Sequence, residues 1–486
     1  MSKTEKILRR ARALAAAVAL VSLPATGNDA IRLPDIGGSD QAALSDQRAA
    51  NIGRAMLQQL RQRGVILEDP QIAGYIQRLG QRLASHSDAP EQPFTFFVVD
   101  DPAINAFAAP GGYIGVHTGL IDASETESEL AAVLAHEIAH VTQHHIARSV
   151  DLANRMTIPT VAALLAAIAL GSQNSEAGAA ALAASQAGAI QLQIDFTRHH
   201  EKEADWVGIQ TLARADFDPR AMAVFFERLQ TETRYYGRPP EFLSTHPVTT
   251  NRISDSRSRA ETLPYRQVED SMEYALVRAR VKVFQAKSPG QLANDLRKRI
   301  AAGQYRHKDP MRYALALALR ESGQIPEALE EFRDLFERLP ENNALRHELA
   351  VTELAAGNPE RSLELYRQGL KIYPHDPVLV PGFGEALLEQ GRITEAHRLL
   401  SRYITGNRGD AKSYYLLAQA EEALGNTVES QVALAEYYYL QGDLAAGVQQ
   451  LELAAKGARG DFYQEERIAD RLRRMKAQLE QMMALK

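Results

Sequence analysis

Apolar residues recur at helical spacing through Leu130, Val133, Leu134, Ile138 and Val141, which predicts an amphipathic helix. Ser124 with Glu127 ahead of it resembles a capping box for that helix. Upstream the pattern changes period. Residues 94–99 read as a buried strand, and residues 113–117 as a second one after the Pro110-Gly111-Gly112 turn. Two further apolar stretches, residues 161–170 and the alanine-rich 177–189, are too short to cross a bilayer. They predict a pair of buried core helices, whose small side chains would suit a movable lid; a membrane-dipping hairpin is the alternative.

The C-terminal half follows a longer rhythm. Gly323, Gly357, Gly391 and Gly425 recur every 34 residues, the period of tetratricopeptide helix pairs. Small residues keep step with them: Ala316, Ala350, Gly384 and Ala418 before, and Ala328, Ser362, Ala396 and Ser430 after. Gly442 follows Gly425 by only 17 residues, which predicts an inserted or shared helix. Pro289 lies 34 residues before Gly323 and suggests a degenerate repeat from near residue 272, while residues 463–486 read as a charged capping helix. Roughly four to six helix pairs around a concave surface are expected. Tyr313, His347 and Tyr415 share one repeat position and are expected to face that groove, the alternative being packing between helices.

The N-terminus has the form of an export signal. Lys3, Lys6, Arg9, Arg10 and Arg12 precede an apolar run at residues 14–23, and Ala25-Thr26-Gly27 supplies small residues for cleavage near Gly27. Residues 1–27 are therefore expected to be a Sec-type signal peptide, with residues 28–45 a linker. The chain contains no cysteine, which excludes disulfides, thiolate metal ligands and lipid acylation. A soluble exported protein, periplasmic in a Gram-negative source, is the expectation. Net charge is −6, and removal of residues 1–27 leaves 50 basic against 60 acidic side chains, −10, which argues against a nucleic-acid partner.

The candidate chemistry lies on the predicted helix. His136 and His140 stand about one turn apart in His136-Glu137-Ile138-Ala139-His140, so both imidazoles project from one face and can share a zinc ion. Glu137 flanks them, where it can deprotonate a water that the metal activates. A catalytic zinc needs a third protein ligand. His144, His145 or a histidine of metzincin type is excluded as that ligand, because Gln143 stands at the metzincin motif's glycine position and Ile146 at its final histidine position. Glu201 and Asp205 share one face of a second helical segment and Glu203 points away, so Glu201 is assigned as third ligand and Asp205 as an acceptor that orients a ligand histidine.

These residues carry a resemblance. His-Glu-x-x-His followed some sixty residues later by Glu-x-x-x-Asp is similar to the gluzincin peptidases of family M48; so are Asn105 to Ile114 and Ser244-Thr245-His246-Pro247 with Arg252 behind it. The resemblance covers about residues 46–265. It implies a zinc endopeptidase with one Zn2+ per subunit, in which Glu137 takes a proton from water and passes it to the leaving nitrogen. His246 is the candidate second stabiliser of the oxyanion, with Arg252 able to share that work. His246 is equally a candidate fourth ligand that would hold the enzyme latent. Extended substrate is expected to add to an edge strand near the zinc helix, with Asn105 and Ala106 at the contact.

The implied architecture is an α+β, mostly helical protease domain at residues 46–265, a polar stretch about residues 252–269, and an all-α tetratricopeptide solenoid at residues 270–486. An exported M48-like domain joined to such repeats resembles a family of bacterial periplasmic proteases that attend outer-membrane barrel assembly. That resemblance implies unfolded or stalled outer-membrane proteins as clients and the barrel-assembly machinery as a partner of the groove; peripheral membrane association is left open. Two other readings are a client-binding scaffold or chaperone with a latched protease site, and a general housekeeping peptidase.

Overall fold

The computed structural model describes residues 45–149, 197–236 and 241–484. The expected signal peptide, the linker up to residue 44, and the apolar stretches at 161–170 and 177–189 lie outside those residues. The described residues belong to one compact unit.

The chain enters through α1 (Asp46–Gln62) and α2 (Pro70–Ser85), then builds a three-stranded sheet from β1 (Thr95–Val99), β2 (Ala106–Ala109) and β3 (Tyr113–His117). The strand order is β1-β3-β2, with β1 parallel and β2 antiparallel to β3. The continuous apolar run of β1 is explained by burial on both faces. Phe96 and Val98 join the main core with Ile114 and Val116, while Phe97 and Val99 pack with Leu57 of α1 on the other side. Gly80 of α2 permits this, since a Cβ there would lie 2.5 Å from the Phe96 ring.

A short α3 (Thr118–Ala123) leads into α4 (Glu127–Thr142), which carries the histidine motif. The cap differs from the expected one. Thr126, not Ser124, accepts the Glu129 N–H, and Glu129 reaches back to the Glu125 N–H. Ser124 instead donates to the Leu120 carbonyl, and Glu127 accepts from Tyr75 and Ser271. Every residue of α4 is buried, so the apolar stripe is one side of a fully enclosed helix.

The site is completed by α5 (described from residue 197 to 214), α6 (Ala221–Tyr236), α7 (Glu241–Thr245) and α8 (Thr250–Glu261). The stretch expected to be a polar linker begins as helix α8, because Arg252, Ile253, Ser256 and Ala260 recur on a buried face.

Twelve helices follow among the described residues: α9 (Met272–Phe284), α10 (Pro289–Ala301), α11 (Lys308–Glu321), α12 (Ile325–Arg338), α13 (Asn343–Ala355), α14 (Pro359–Ile372), α15 (Leu379–Glu389), α16 (Ile393–Gly406), α17 (Ala411–Ala423), α18 (Thr427–Leu440), α19 (Leu444–Gly457) and α20 (Phe462–Ala484). The 34-residue glycines end the first helix of each pair at positive φ, 79°, 81°, 68° and 81°. Their small companions are buried at the crossings; a Cβ on Gly384 would meet Leu400 at 2.9 Å. The half-repeat step at Gly442 produces α19, which pairs with the terminal α20. Helix α9 belongs to two cores, giving Tyr274, Val277 and Val281 to the peptidase side and Leu276 and Val283 to the solenoid.

The concave face is partly filled by the chain's own N-terminal helices. Tyr313, expected in the groove, is wholly buried, donating 3.1 Å to Gln71 of α2. Gln71 donates 2.6 Å to Glu348 of α13, a carboxylate that also takes Arg280 at 2.7 Å and Arg320 at 2.5 Å. Further along, Arg61 and Gln62 of α1 donate to the carbonyls of Leu440 and Gly442 at 2.8 and 2.9 Å. His347 accepts or donates to Tyr366 at 3.0 Å, and Tyr415 remains 42% exposed.

Candidate metal centre

Close approach of α5 to α4 places the expected ligands. Ala139, Ala204 and Val207 pack together where the helices meet. Gly208 allows the contact, since a Cβ there would stand 3.2 Å from the His136 backbone nitrogen. One turn earlier on α5, Asp205 Oδ1 then reaches His136 Nδ1 at 3.0 Å, and one turn before that Glu201 faces both imidazoles.

His136, His140, Glu201 and His246 are all buried, with one donor atom from each lying within 4.8 Å of the others. His140 Nε2 is 3.0 Å and His246 Nδ1 3.3 Å from His136 Nε2. Glu201 lies 3.5 Å from His136, 3.4 Å from His140 and 3.0 Å from His246 Nδ1. Donors held ~2.0–2.1 Å from a tetrahedral ion are separated by about 3.3 Å, close to most of these spacings, so the three imidazoles and the Glu201 carboxylate form a group that could hold one metal ion. Glu137 Oε1 is buried with no hydrogen-bond partner, 3.4 Å from His246 Nε2.

The electrostatics ask for a cation. Burial pushes the His136 imidazole down, but Asp205 and Glu201 outweigh it and raise it to about 9. Burial lowers His140 to about 3, against the upward pull of Glu201. Burial pushes Glu201 up, yet hydrogen bonds from His136, His140 and His246 hold it well below the usual carboxylate range. Burial raises Glu137, against the pull of His246 and His136, so it binds a proton more readily than a free glutamate.

Arg252, expected near the oxyanion, sits behind the ligands instead. Its guanidinium is committed to Asp205 through two bonds of 2.8 Å, to Glu201 at 2.7 Å and to the Pro247 carbonyl at 2.9 Å. It steadies both carboxylates and the backbone that follows His246. His246 closes α7, its N–H donating 2.8 Å to Phe242 O and its ring stacking on the Phe242 ring.

Asn105 and Ala106 lie at the start of β2, the edge strand beside α4. Because the His117 N–H donates to Asn105 O, hydrogen-bonded pairs fall at positions 105, 107 and 109, leaving the backbone groups of Ala106 and Ala108 turned outward. Outward is toward the site, since the Ala108 N–H reaches Glu137. The Asn105 side-chain oxygen is buried with no partner among the described residues.

Sequence reasoning set His145 aside as a third ligand and gave it no other role. His144 takes a left-handed φ of 54°, turning the chain after α4 so that His145 Nδ1 meets His140 Nδ1 at 2.8 Å. His145 Nε2 lies 3.0 Å from Glu203, the carboxylate on the far face of α5. The signal was present in Glu203 pointing away: that face meets the residues just past the motif.

A model for peptidase family M48 matches residues 70–260, and two tetratricopeptide-repeat models match residues 313–377 and 353–420. The chain is 36% identical over 450 residues to the beta-barrel assembly-enhancing protease of Escherichia coli K12, covering 92% of each chain. It is 37% identical over 437 residues to the putative beta-barrel assembly-enhancing protease of Vibrio cholerae, covering 89% of this chain and 90% of that one. The mitochondrial metalloendopeptidase OMA1 of Schizosaccharomyces pombe is 32% identical over 195 residues, 40% of this chain and 54% of its own length.

Proposed function

The chain belongs to the family of beta-barrel assembly-enhancing proteases, metallopeptidases built on an M48 domain, and we propose that it is a periplasmic zinc endopeptidase that promotes assembly of outer-membrane barrel proteins and degrades those that stall. The observation that carries the enzymatic part is the convergence of His136, His140, Glu201 and His246 beside an unpartnered Glu137 oxygen. Residues 46–265 form the peptidase and residues 270–486 the repeat domain in this reading.

His136, His140 and Glu201 would hold the ion, and zinc bound there would supply Lewis acidity toward the peptide carbonyl and water. Glu137 takes the proton of the attacking water and returns it to the leaving nitrogen, a role its raised proton affinity suits. Asp205 fixes the His136 ring, and Arg252 fixes Asp205 and Glu201. An extended peptide pairs with the outward groups of Ala106 and with the Ala108 carbonyl, and Asn105 accepts a peptide N–H. Backbone pairing of this kind tolerates many sequences, as quality control of unfolded chains requires. The part of the repeat groove left open near Tyr415 receives clients or the assembly machinery.

His246 is the latch. Its position within 3.0–3.3 Å of two other donor atoms supports a fourth-ligand role in the resting chain. His246→Ala is expected to raise cleavage of an unfolded barrel protein several-fold and weaken zinc retention. A hundredfold loss of turnover with zinc retained would instead make His246 an oxyanion stabiliser.

His145 positions His140, so His145→Ala should lower metal affinity about 10–100-fold, read by competition with a chromogenic chelator, without changing the helical circular dichroism. The test of the reading itself compares three substrates: an unfolded barrel protein, the same protein folded in detergent, and an unrelated unfolded protein. Degradation of the first alone supports barrel quality control. Equal degradation of the first and third indicates a housekeeping peptidase, and degradation of none indicates a scaffold.

A further inference from the structure

We propose that the hollow beside the far end of β2 is a substrate subsite that takes a large apolar side chain, one to three residues from the scissile bond. The inference rests on the peptidase reading above. The hollow measures about 410 Å³, and its wall includes both His140 and Ala109, so it adjoins the metal group and the edge strand at once. It lies in the size range of small-ligand pockets.

Its place along the substrate follows from the backbone. The Ala108 N–H contacts Glu137, which sets the level of the reacting carbonyl. Ala109, the last residue of β2, and the Pro110–Gly111 turn after it carry the chain onward along the hollow, which therefore begins one strand residue, about 3.3 Å, beyond that level. A peptide paired with this edge alternates its side chains between faces, so one of its first side chains past that level is directed into the hollow.

Its chemistry follows from the lining. Ala49, Ala50, Pro93, Pro110, Val141 and Ile146 are apolar, whereas the two acidic members, Asp46 and Glu91, are exposed to solvent. The wall is tightly fixed. Gly111 sits at φ 80°, and a Cβ there would lie 2.6 Å from Ala50 Cα, so α1 seats backbone against backbone on the β2–β3 turn. On the opposite side, the left-handed His144 turns the chain to present Ile146 and Ala147.

The test uses the full chain and short unstructured peptides that differ in one residue, Ala, Leu, Phe or Lys, walked along the sequence. Binding is read by fluorescence anisotropy on zinc-loaded Glu137→Gln, and cleavage sites by mass spectrometry on the wild type. Leu or Phe at one fixed position should bind about tenfold or more tighter than Ala and be enriched at cleavage sites. Both preferences should vanish when Ala147→Phe fills the hollow, with zinc content unchanged. Should Ala147→Phe not fold, Ile146→Ala is expected to weaken the same preference by removing part of the wall. No positional preference, a preference that survives these variants, or a preference for Lys would overturn the subsite. A wild type that cleaves nothing while the positional binding preference persists would overturn the peptidase reading and leave the subsite standing.

Discussion

Replacing Glu137 by glutamine is expected to lower peptide hydrolysis by a factor of about 10²–10⁴ while the chain keeps its zinc and its fold. The side chain is buried, close in shape to glutamine and not counted among the four converging donors, so the substitution removes proton transfer with little else. Steady-state turnover of a fluorogenic peptide beside metal analysis of the same sample checks this. Retained turnover would mean that another group handles the proton. Loss of zinc together with activity would mean that Glu137 holds the ion.

The second large effect concerns Glu348. Its carboxylate is 1% exposed and ties α13 to Gln71 of α2, Arg280 of α9 and Arg320 of α11. Glu348→Ala takes one carboxylate from a buried site where Arg320 then loses its buried partner and Arg280 keeps only Asp69, at 2.7 Å, and a cost of about 3 kcal/mol is expected by urea denaturation. The pH dependence has a definite sign. Burial alone would raise this carboxyl, but Arg280 and Arg320 overcome it and hold its folded value far below the ordinary 4.5. Its stabilisation is therefore complete above about pH 4.5 and declines as pH falls toward the folded value, a decline the alanine variant should lack. An unchanged midpoint in Glu348→Ala would mean that this buried network adds nothing to the join between the repeats and the peptidase.

What could be read from the sequence was local. Two imidazoles four residues apart, and two carboxylates four residues apart on α5, share a face by helix geometry alone, and the structure brings these four side chains together. The 34-residue glycines were equally legible, because each sits at positive φ where a helix must end. The cap was misplaced by two residues because Ser124, Thr126, Glu127 and Glu129 offer overlapping capping patterns; the hydrogen bonds to Leu120, Tyr75 and Ser271 decide among them. His145 lies five residues past His140, off the metal-facing side of a straight helix, and only the left-handed turn at His144 returns it. Tyr313 was placed in the groove by its repeat position, but the helix that fills the groove comes from 242 residues away. Pairing at that range leaves no periodic trace.

The most direct test of the central claim measures zinc and proteolysis on one sample. The purified chain is stripped with a chelator, titrated with zinc, and assayed at each step for bound metal and for degradation of an unfolded outer-membrane barrel protein. One zinc per chain is expected, with activity rising in proportion to occupancy and absent from the stripped protein. Full degradation by the stripped chain, or zinc bound with no degradation even in His246→Ala, would contradict it.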